Sequence, residues 1–257
     1  PTVHHVCLCQ AEGGRIIRKN VANANIGTTF SCSQVDVFKS EERDGNTANR
    51  WDVLLNRLFI EPALGMGYPT ESLPILRKLN KYIQPGDLEK LQFDFDFIGV
   101  QNYTREVVKA NTFIPYMKGL EIKPVKRDAK EITEMGWEVY PEGIYKILKQ
   151  FAAYPGVKKI FVTENGCAFP DEVVNEKVND TKRIDFYQRY LKEVLRAKKD
   201  GVNIGGYFSW TLLDNFEWAE GYAKRFGIVH VDYQTFERTP KMSFKKYQEI
   251  IAANTAI

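Results

Sequence analysis

Apolar positions along the chain alternate between two rhythms. Val3, Val6, Cys7 and Ala11 recur at helical spacing and predict a helix over residues 3–19. Gly13 and Gly14 weaken it, because an interior glycine costs about 1 kcal/mol. Residues 26–33, rich in Ile, Thr and Phe, predict a strand, and residues 39–44 the charged tip of a polar loop. A helix follows over 47–59, with Trp51, Leu54, Leu55, Leu58 and Phe59 on one face, Asn46 as its cap and Pro62 past its end. A short helix is expected over 73–82 and a second strand over 93–101. Residues 103–136 show no long period and read as a loop region with room for a hairpin, a length that is usually functional. Pro141 opens a helix to residue 154, with Ile144, Ile147, Leu148 and Phe151 on one face. Ile160, Phe161 and Val162 form a short β-rich run closed by Thr163, Glu164, Asn165 and Gly166, as in a strand buried on both faces. Asp180 is the expected cap of a long helix with Ile184, Tyr187, Leu191, Val194 and Leu195 inward and Gly201 at its end. Residues 204–210 make the fourth strand. The last helix spans 243–253, with Phe244, Tyr247 and Ile251 inward.

Strands that alternate with helices signal a parallel sheet with helical crossovers, an α/β fold. Only four strands emerge, whereas a closed barrel of this kind needs eight. Either four strands escape the pattern or the chain is half of a barrel. Its 257 residues are close to the size of one α/β barrel, and 44% apolar with 27% charged residues is ordinary for a globular protein. The formal charge of +3 is small and dispersed, which argues against a nucleic-acid partner. No apolar run is long enough to span a membrane. Cys7, Cys9, Cys32 and Cys167 form no C-x-x-C pair, and His4, His5 and His230 complete no zinc pattern; buried free thiols in a reducing compartment are the expectation. Cytoplasmic residence follows as an expectation. The first residue is Pro1 rather than methionine, so secretion stays open.

Candidate chemistry gathers at strand ends, where α/β barrels place it. Glu164 closes the third strand; by itself it reads first as a solvated turn residue. The fourth strand runs into Trp210-Thr211-Leu212-Leu213-Asp214-Asn215-Phe216-Glu217-Trp218. Two indoles flanking a carboxylate suit a sugar: the C–H face of a pyranose packs on an indole, and its hydroxyls donate to the acid. Core packing is the bland alternative for a single tryptophan, less so for this pair.

Thr163-Glu164-Asn165-Gly166 resembles the nucleophile motif of the family 1 glycoside hydrolases, the β-glucosidase family. The Trp210–Trp218 run with Gly221-Tyr222 and Lys224-Arg225-Phe226-Gly227 is similar to that family's second signature, and Met135-Gly136-Trp137-Glu138-Val139-Tyr140-Pro141-Glu142-Gly143 also matches. The resemblance covers essentially the whole chain and implies the second half of a TIM-type (β/α)8 barrel, about four βα units with parallel strands. Residues 1–257 would then be one incomplete glycosidase domain. By the same resemblance Glu164 is the nucleophile and Tyr103 the tyrosine that hydrogen-bonds it. Glu217, assisted by Trp218, accepts from the sugar's outer hydroxyls. Trp210 is the platform under the sugar, Trp137 the aglycone-side wall, and Phe226 closes the pocket. Where the family commonly has Asn-Tyr-Tyr, this chain has Gln101-Asn102-Tyr103, which places Gln101 and Asn102 at the pocket edge as substitutions. Ser31 lies near a frequent asparagine.

The family's acid/base glutamate sits in a T-x-N-E-P motif, and no N-E-P occurs in this sequence. A retaining glycosidase needs two carboxyl groups about 5–5.5 Å apart, and Glu164 supplies one. Glu138 and Glu142 are read as helix-start carboxylates favoured by the dipole. The resemblance thus implies a retaining β-glucosidase-like hydrolase that is inactive as this chain alone. Its expected partners are a β-glucoside or oligosaccharide and either the missing N-terminal half barrel or a second copy of the chain, with no metal or cofactor. The alternative is a non-catalytic sugar-binding or self-assembling half-barrel fragment.

Overall fold

The computed structural model describes residues 1–253. In chain order its elements are α1 (Thr2–Asn20), β1 (Gly27–Ser31), β2 (Gln34–Val37), α2 (Glu41–Asp52), α3 (Leu58–Ala63), α4 (Asp87–Leu91), β3 (Phe97–Gln101), β4 (Arg105–Ala110) and β5 (Gly119–Glu121). Then come α5 (Glu142–Ala152), β6 (Ile160–Asn165), β7 (Val173–Val174), β8 (Lys177–Val178), α6 (Thr181–Lys199), β9 (Ile204–Ser209), β10 (Val229–Val231), β11 (Arg238–Pro240) and α7 (Met242–Ala253). The principal sheet has the order β1-β3-β6-β9, parallel throughout. Its strands and helices alternate as expected, and the barrel is not closed.

Ile98, Val100, Ile160 and Val162 are almost wholly buried between the strands and the α5 and α6 helices, whose Ile144, Ile147, Phe151, Phe186 and Tyr190 complete the core. The strand expected to be buried on both faces is covered on one: Phe161 and Thr163, on the other face of β6, are only half-buried because the sheet is open.

Several expected boundaries move. The helix expected over 47–59 starts at Glu41, where Ser40 Oγ accepts the Arg43 backbone N–H. Glu41, Glu42 and Asp44 thus form an acidic first turn that favours the helix dipole, not a loop tip, and Asn46 lies inside the helix. The helix widens over Val53–Arg57 and continues as α3, with Pro62 inside it rather than past its end. The short helix expected over 73–82 is a 3-10 helix over Pro74–Tyr82, and the second strand begins only at Phe97. Within 103–136, β4 and β5 form a hairpin, and β4 also pairs in parallel with β2. This second sheet, β2-β4-β5, grows from the C-terminal ends of β1 and β3 and forms a rim beyond them.

In α1 the buried face is His4, Cys7, Ala11 and Gly14, and the helix passes through both glycines. A β-carbon at Gly14 would strike the Phe93 ring, so close packing offsets the low helix propensity. Val6, Leu54, Leu195 and Ile251, all expected inward, are 44 to 66% exposed. Val6 and Leu54 line a cleft along β1; Leu195 and Ile251 line one along β9. The two clefts lie at the two ends of the open sheet. Of the four thiols, Cys9 is exposed rather than buried.

Asp180 is the N-cap residue of α6, its carbonyl accepting the Arg183 and Ile184 N–H groups, but its side chain makes no capping bond. Its carboxylate binds Arg183 and accepts from the Ser243 backbone and hydroxyl, joining a cluster of charges shut away from solvent. Arg183 also forks to both oxygens of Asp171 at 3.0 Å. Lys241 bridges Asp171 and Asp214, and Asp214 takes Arg225 at 2.7 Å and the Gly227 N–H at 2.9 Å. Three cations thus face three anions, and the cluster ties the loops after β6 and β9 to the starts of α6 and α7. Burial, then the nearby Arg183 charge, holds the Lys241 amine below its usual value. Removing one member strands a partner charge in the interior. Asp214→Ala should therefore lower the unfolding free energy by about 3–5 kcal/mol in a urea titration, far more than an exposed pair such as Arg15 with Glu12, worth about 0–1 kcal/mol.

Candidate active site

Glu164 lies at the C-terminal end of β6, directly across from Gln101 of β3 in the parallel ladder. A register shift after Val100 brings the two into line. Tyr103 Oη donates to Glu164 Oε2 at 2.6 Å, and Gln101 Nε2 donates to Oε1 at 2.7 Å. Burial, then the bond to Glu164, pushes the Tyr103 phenol well above its usual range, so it remains a proton donor.

The donors are themselves held. Tyr190 of α6 accepts the Tyr140 backbone N–H and donates to the Tyr103 carbonyl, both at 3.1 Å. Asn165 Nδ2 donates to the Asn102 carbonyl at 2.6 Å, and Tyr207 of β9 donates to Asn165 Oδ1. A β-carbon at Gly166 would run into the Trp210 carbonyl oxygen, so glycine there lets the ends of β6 and β9 approach.

A cavity of about 560 Å³ opens over these strand ends. Glu164, Tyr103, Trp137, Trp210, Glu217, Trp218 and Phe226 all line it. These seven candidate residues therefore meet at one place. The rings of Tyr103, Trp137 and Phe226 lie 5.5–6.2 Å apart centre to centre and form one wall. Phe226 is buried, whereas Trp218 is 81% exposed at the mouth. Glu217 stands beside Trp210 in this lining. Burial, with a further contribution from the Glu164 charge, raises its carboxyl, and its buried Oε2 has no partner among the described residues. Such an atom is an acceptor suited to a ligand hydroxyl.

Three readings change. Gln101 is not at the pocket edge but on Glu164 itself. Asn102 is fully buried and faces away, its amide bonding the Cys32 and Thr104 carbonyls. Glu138 is not at a helix start, since α5 begins at Glu142; it lies between Arg105 and Arg127, paired with both. Glu106 also lines the cavity and went unseen in the sequence, because β4 has no alternation to mark it; Met135, quoted above only as part of a matching block, lines it too. Ser31 lines the cavity from the end of β1.

A parallel α/β barrel wall thus carries a clamped carboxylate and indoles at its strand ends. The chain belongs to glycosyl hydrolase family 1, whose model matches residues 1–256. It is 38% identical over 256 residues to the 1,4-beta-D-glucan glucohydrolase of Thermotoga neapolitana and 36% identical over 255 to beta-glucosidase A of Thermotoga maritima. Each match covers 98% of this chain and 56% of the relative. Among solved structures it superposes on the AHE enzyme from Alicyclobacillus herbarius with a TM-score of 0.91 at 35% identity, covering 97% of this chain and 56% of that one. For the family 1 β-glucosidase of Thermotoga maritima the TM-score is 0.90 at 34% identity, with 98% and 56% covered. The chain thus spans little more than half the length of these relatives.

Glu106 of β4 faces Glu121 of β5 at the cavity rim. Burial first, then the Glu121 charge and a bond to it, push the Glu106 carboxyl up to about 7, against the pull of Lys123 and Arg127. The folded state therefore keeps a proton that the unfolded chain gives up near 4.5. Unfolding free energy should fall as pH rises between those two values. Glu106→Gln should flatten the slope of stability between pH 5 and pH 8 and be more stable than the parent at pH 8. Urea midpoints at the two pH values check this; an unchanged slope would assign the titration elsewhere.

Proposed function

We propose that this chain carries the nucleophile-bearing half of a retaining β-glucosidase. The observation that carries the reading is Glu164, gripped by Tyr103 and Gln101 at the floor of a cavity walled by Trp137, Trp210 and Phe226. Membership of the family, and relatives named as β-glucosidases, support it. The Glu164 carboxylate attacks the anomeric carbon of a β-glucoside, forming a glycosyl ester. Tyr103 aims the carboxylate by its hydrogen bond. Trp210 packs the sugar, Glu217 with the help of Trp218 accepts its outer hydroxyls, and Trp137 borders the aglycone. The second carboxyl, which protonates the leaving oxygen and later activates water, comes in this proposal from an N-terminal barrel half that meets β1 and β9. Four free thiols accord with a cytoplasmic setting, which is part of the proposal.

A second reading, an assembling fragment without catalysis, draws on the apolar clefts at both sheet ends. Their exposed Val6, Leu54, Leu195 and Ile251 invite a neighbour, and two copies could cover each other. Sedimentation of the chain by itself separates the cases. Association is expected, and a compact, cooperatively folding monomer would remove the need for any partner.

Activity separates them further. The chain alone should hydrolyse cellobiose negligibly, because general acid catalysis is typically worth about 10²- to 10⁴-fold. Cellobiose turnover by a preparation free of contaminating enzyme would refute this. With the N-terminal half supplied, unphosphorylated aryl glucosides should be preferred over 6-phospho ones, since a phosphate would meet the Glu217 carboxylate. Comparing the two substrates in that assembly decides the point; a preference for the phosphorylated one would overturn the placement of Glu217.

A further inference from the structure

Gln101 grips the same carboxylate as Tyr103, from the neighbouring strand. Its backbone is fixed on both sides: its carbonyl accepts the Cys32 N–H at 2.9 Å beyond the end of β1, and the next residue's N–H donates to the Glu164 carbonyl at 3.1 Å. The Gln101 amide therefore reaches Glu164 Oε1 from a rigid base, at 2.7 Å, within the cavity lining.

We propose that Gln101 is a positioning residue that acts mainly in the second half of the reaction, stabilising the Glu164 carboxylate as it leaves the sugar. This rests on Glu164 being the nucleophile. A hydrogen bond to a charged oxygen is roughly twice as strong as one to a neutral oxygen. In the first step an electron pair of Glu164 forms the bond to the anomeric carbon. The bond to the aglycone breaks, and the aglycone oxygen takes a proton from the carboxylic acid of the N-terminal half. Glu164 becomes a neutral ester and the Gln101 bond weakens. In the second step water attacks the anomeric carbon and gives its proton to the carboxylate of the N-terminal half. The sugar–Glu164 bond breaks, and its electron pair returns to Glu164. Negative charge then reappears in front of an N–H already in place, which is preorganised stabilisation of a leaving group. The amide thus gives no help to formation of the ester and assists its hydrolysis. A residue that merely supported the fold would affect both steps alike.

The test uses the chain assembled with its N-terminal barrel half and 2,4-dinitrophenyl 2-deoxy-2-fluoro-β-glucoside, which traps the ester. Peptide mapping of the parent reads the nucleophile. The rates of inactivation and of later reactivation read the two steps in the parent, Gln101→Met and Gln101→Asn. Methionine keeps the length of the side chain and removes the N–H donor; asparagine keeps the amide on a shorter stem. For Gln101→Met, inactivation should stay within about threefold of the parent and reactivation should slow by about tenfold or more. Gln101→Asn should recover part of the reactivation rate. Reactivation of Gln101→Met at the parent rate, or equal slowing of both steps, would overturn the proposal. Loss of the folded state in Gln101→Met, seen by circular dichroism, would overturn it too, because the side chain would then serve the fold. A parent adduct on any carboxyl other than Glu164 would instead remove the nucleophile reading on which the proposal stands.

Discussion

The register between β3 and β6 is the constraint on which the site depends. The two strands pair residue for residue from Ile98 with Ile160 to Val100 with Val162, and then slip so that Gln101 faces Glu164. Within a strand, a one-residue change of register turns side chains to the opposite face. The slip gathers Gln101, Tyr103 and Glu164 around one carboxylate while Val100 and Val162 stay in the core. The regular part of the ladder supplies stability, and its irregular end sets the surroundings of the Glu164 carboxylate.

Behind that end the buried charges serve a different purpose. Arg183, Lys241, Asp171, Asp180 and Asp214 have no exposed side-chain surface, and each carries hydrogen bonds that offset its lost hydration. Their geometry joins two loops and two helix starts. Asp214 lies three residues before Glu217, so the cluster fixes the base of the loop that brings Glu217 and Trp218 to the cavity. The outer part of that loop stays exposed, as Phe216 and Trp218 show. The site thus combines a rigid floor with a more accessible mouth.

The open sheet accounts for the inward positions that turned outward. Val6, Leu54, Leu195 and Ile251 obey helical spacing, and in a closed barrel such residues would meet neighbours beyond β1 and β9. In this chain the sheet stops there, and the side chains border clefts instead. Periodicity reports which face of a helix is apolar, not whether something covers it.

Local pattern was enough for the alternation of strands and helices, the four parallel strands and Glu164, Trp210, Glu217 and Trp218 at strand ends, whereas Tyr103, Trp137 and Phe226 entered only through the family resemblance. These signals are local: apolar period, turn residues, and short motifs at strand ends. Tertiary structure decided the rest. The β4-β5 hairpin was foreseen only as room within 103–136, and its parallel pairing with β2 was illegible because these short strands take their stability from pairing across distant segments rather than from alternation of their own. Asp180 was legible as a helix cap, and only the arrival of Arg183 and Ser243 made its side chain part of a charge cluster. Glu138 likewise became an ion-pair partner through Arg105 and Arg127. Gln101 passed for a substitution at the pocket edge, because nothing along one strand reveals what faces it on the next. Its contact with Glu164 comes from a register shift between segments about 60 residues apart, and inter-strand register is set by the packing of the whole sheet.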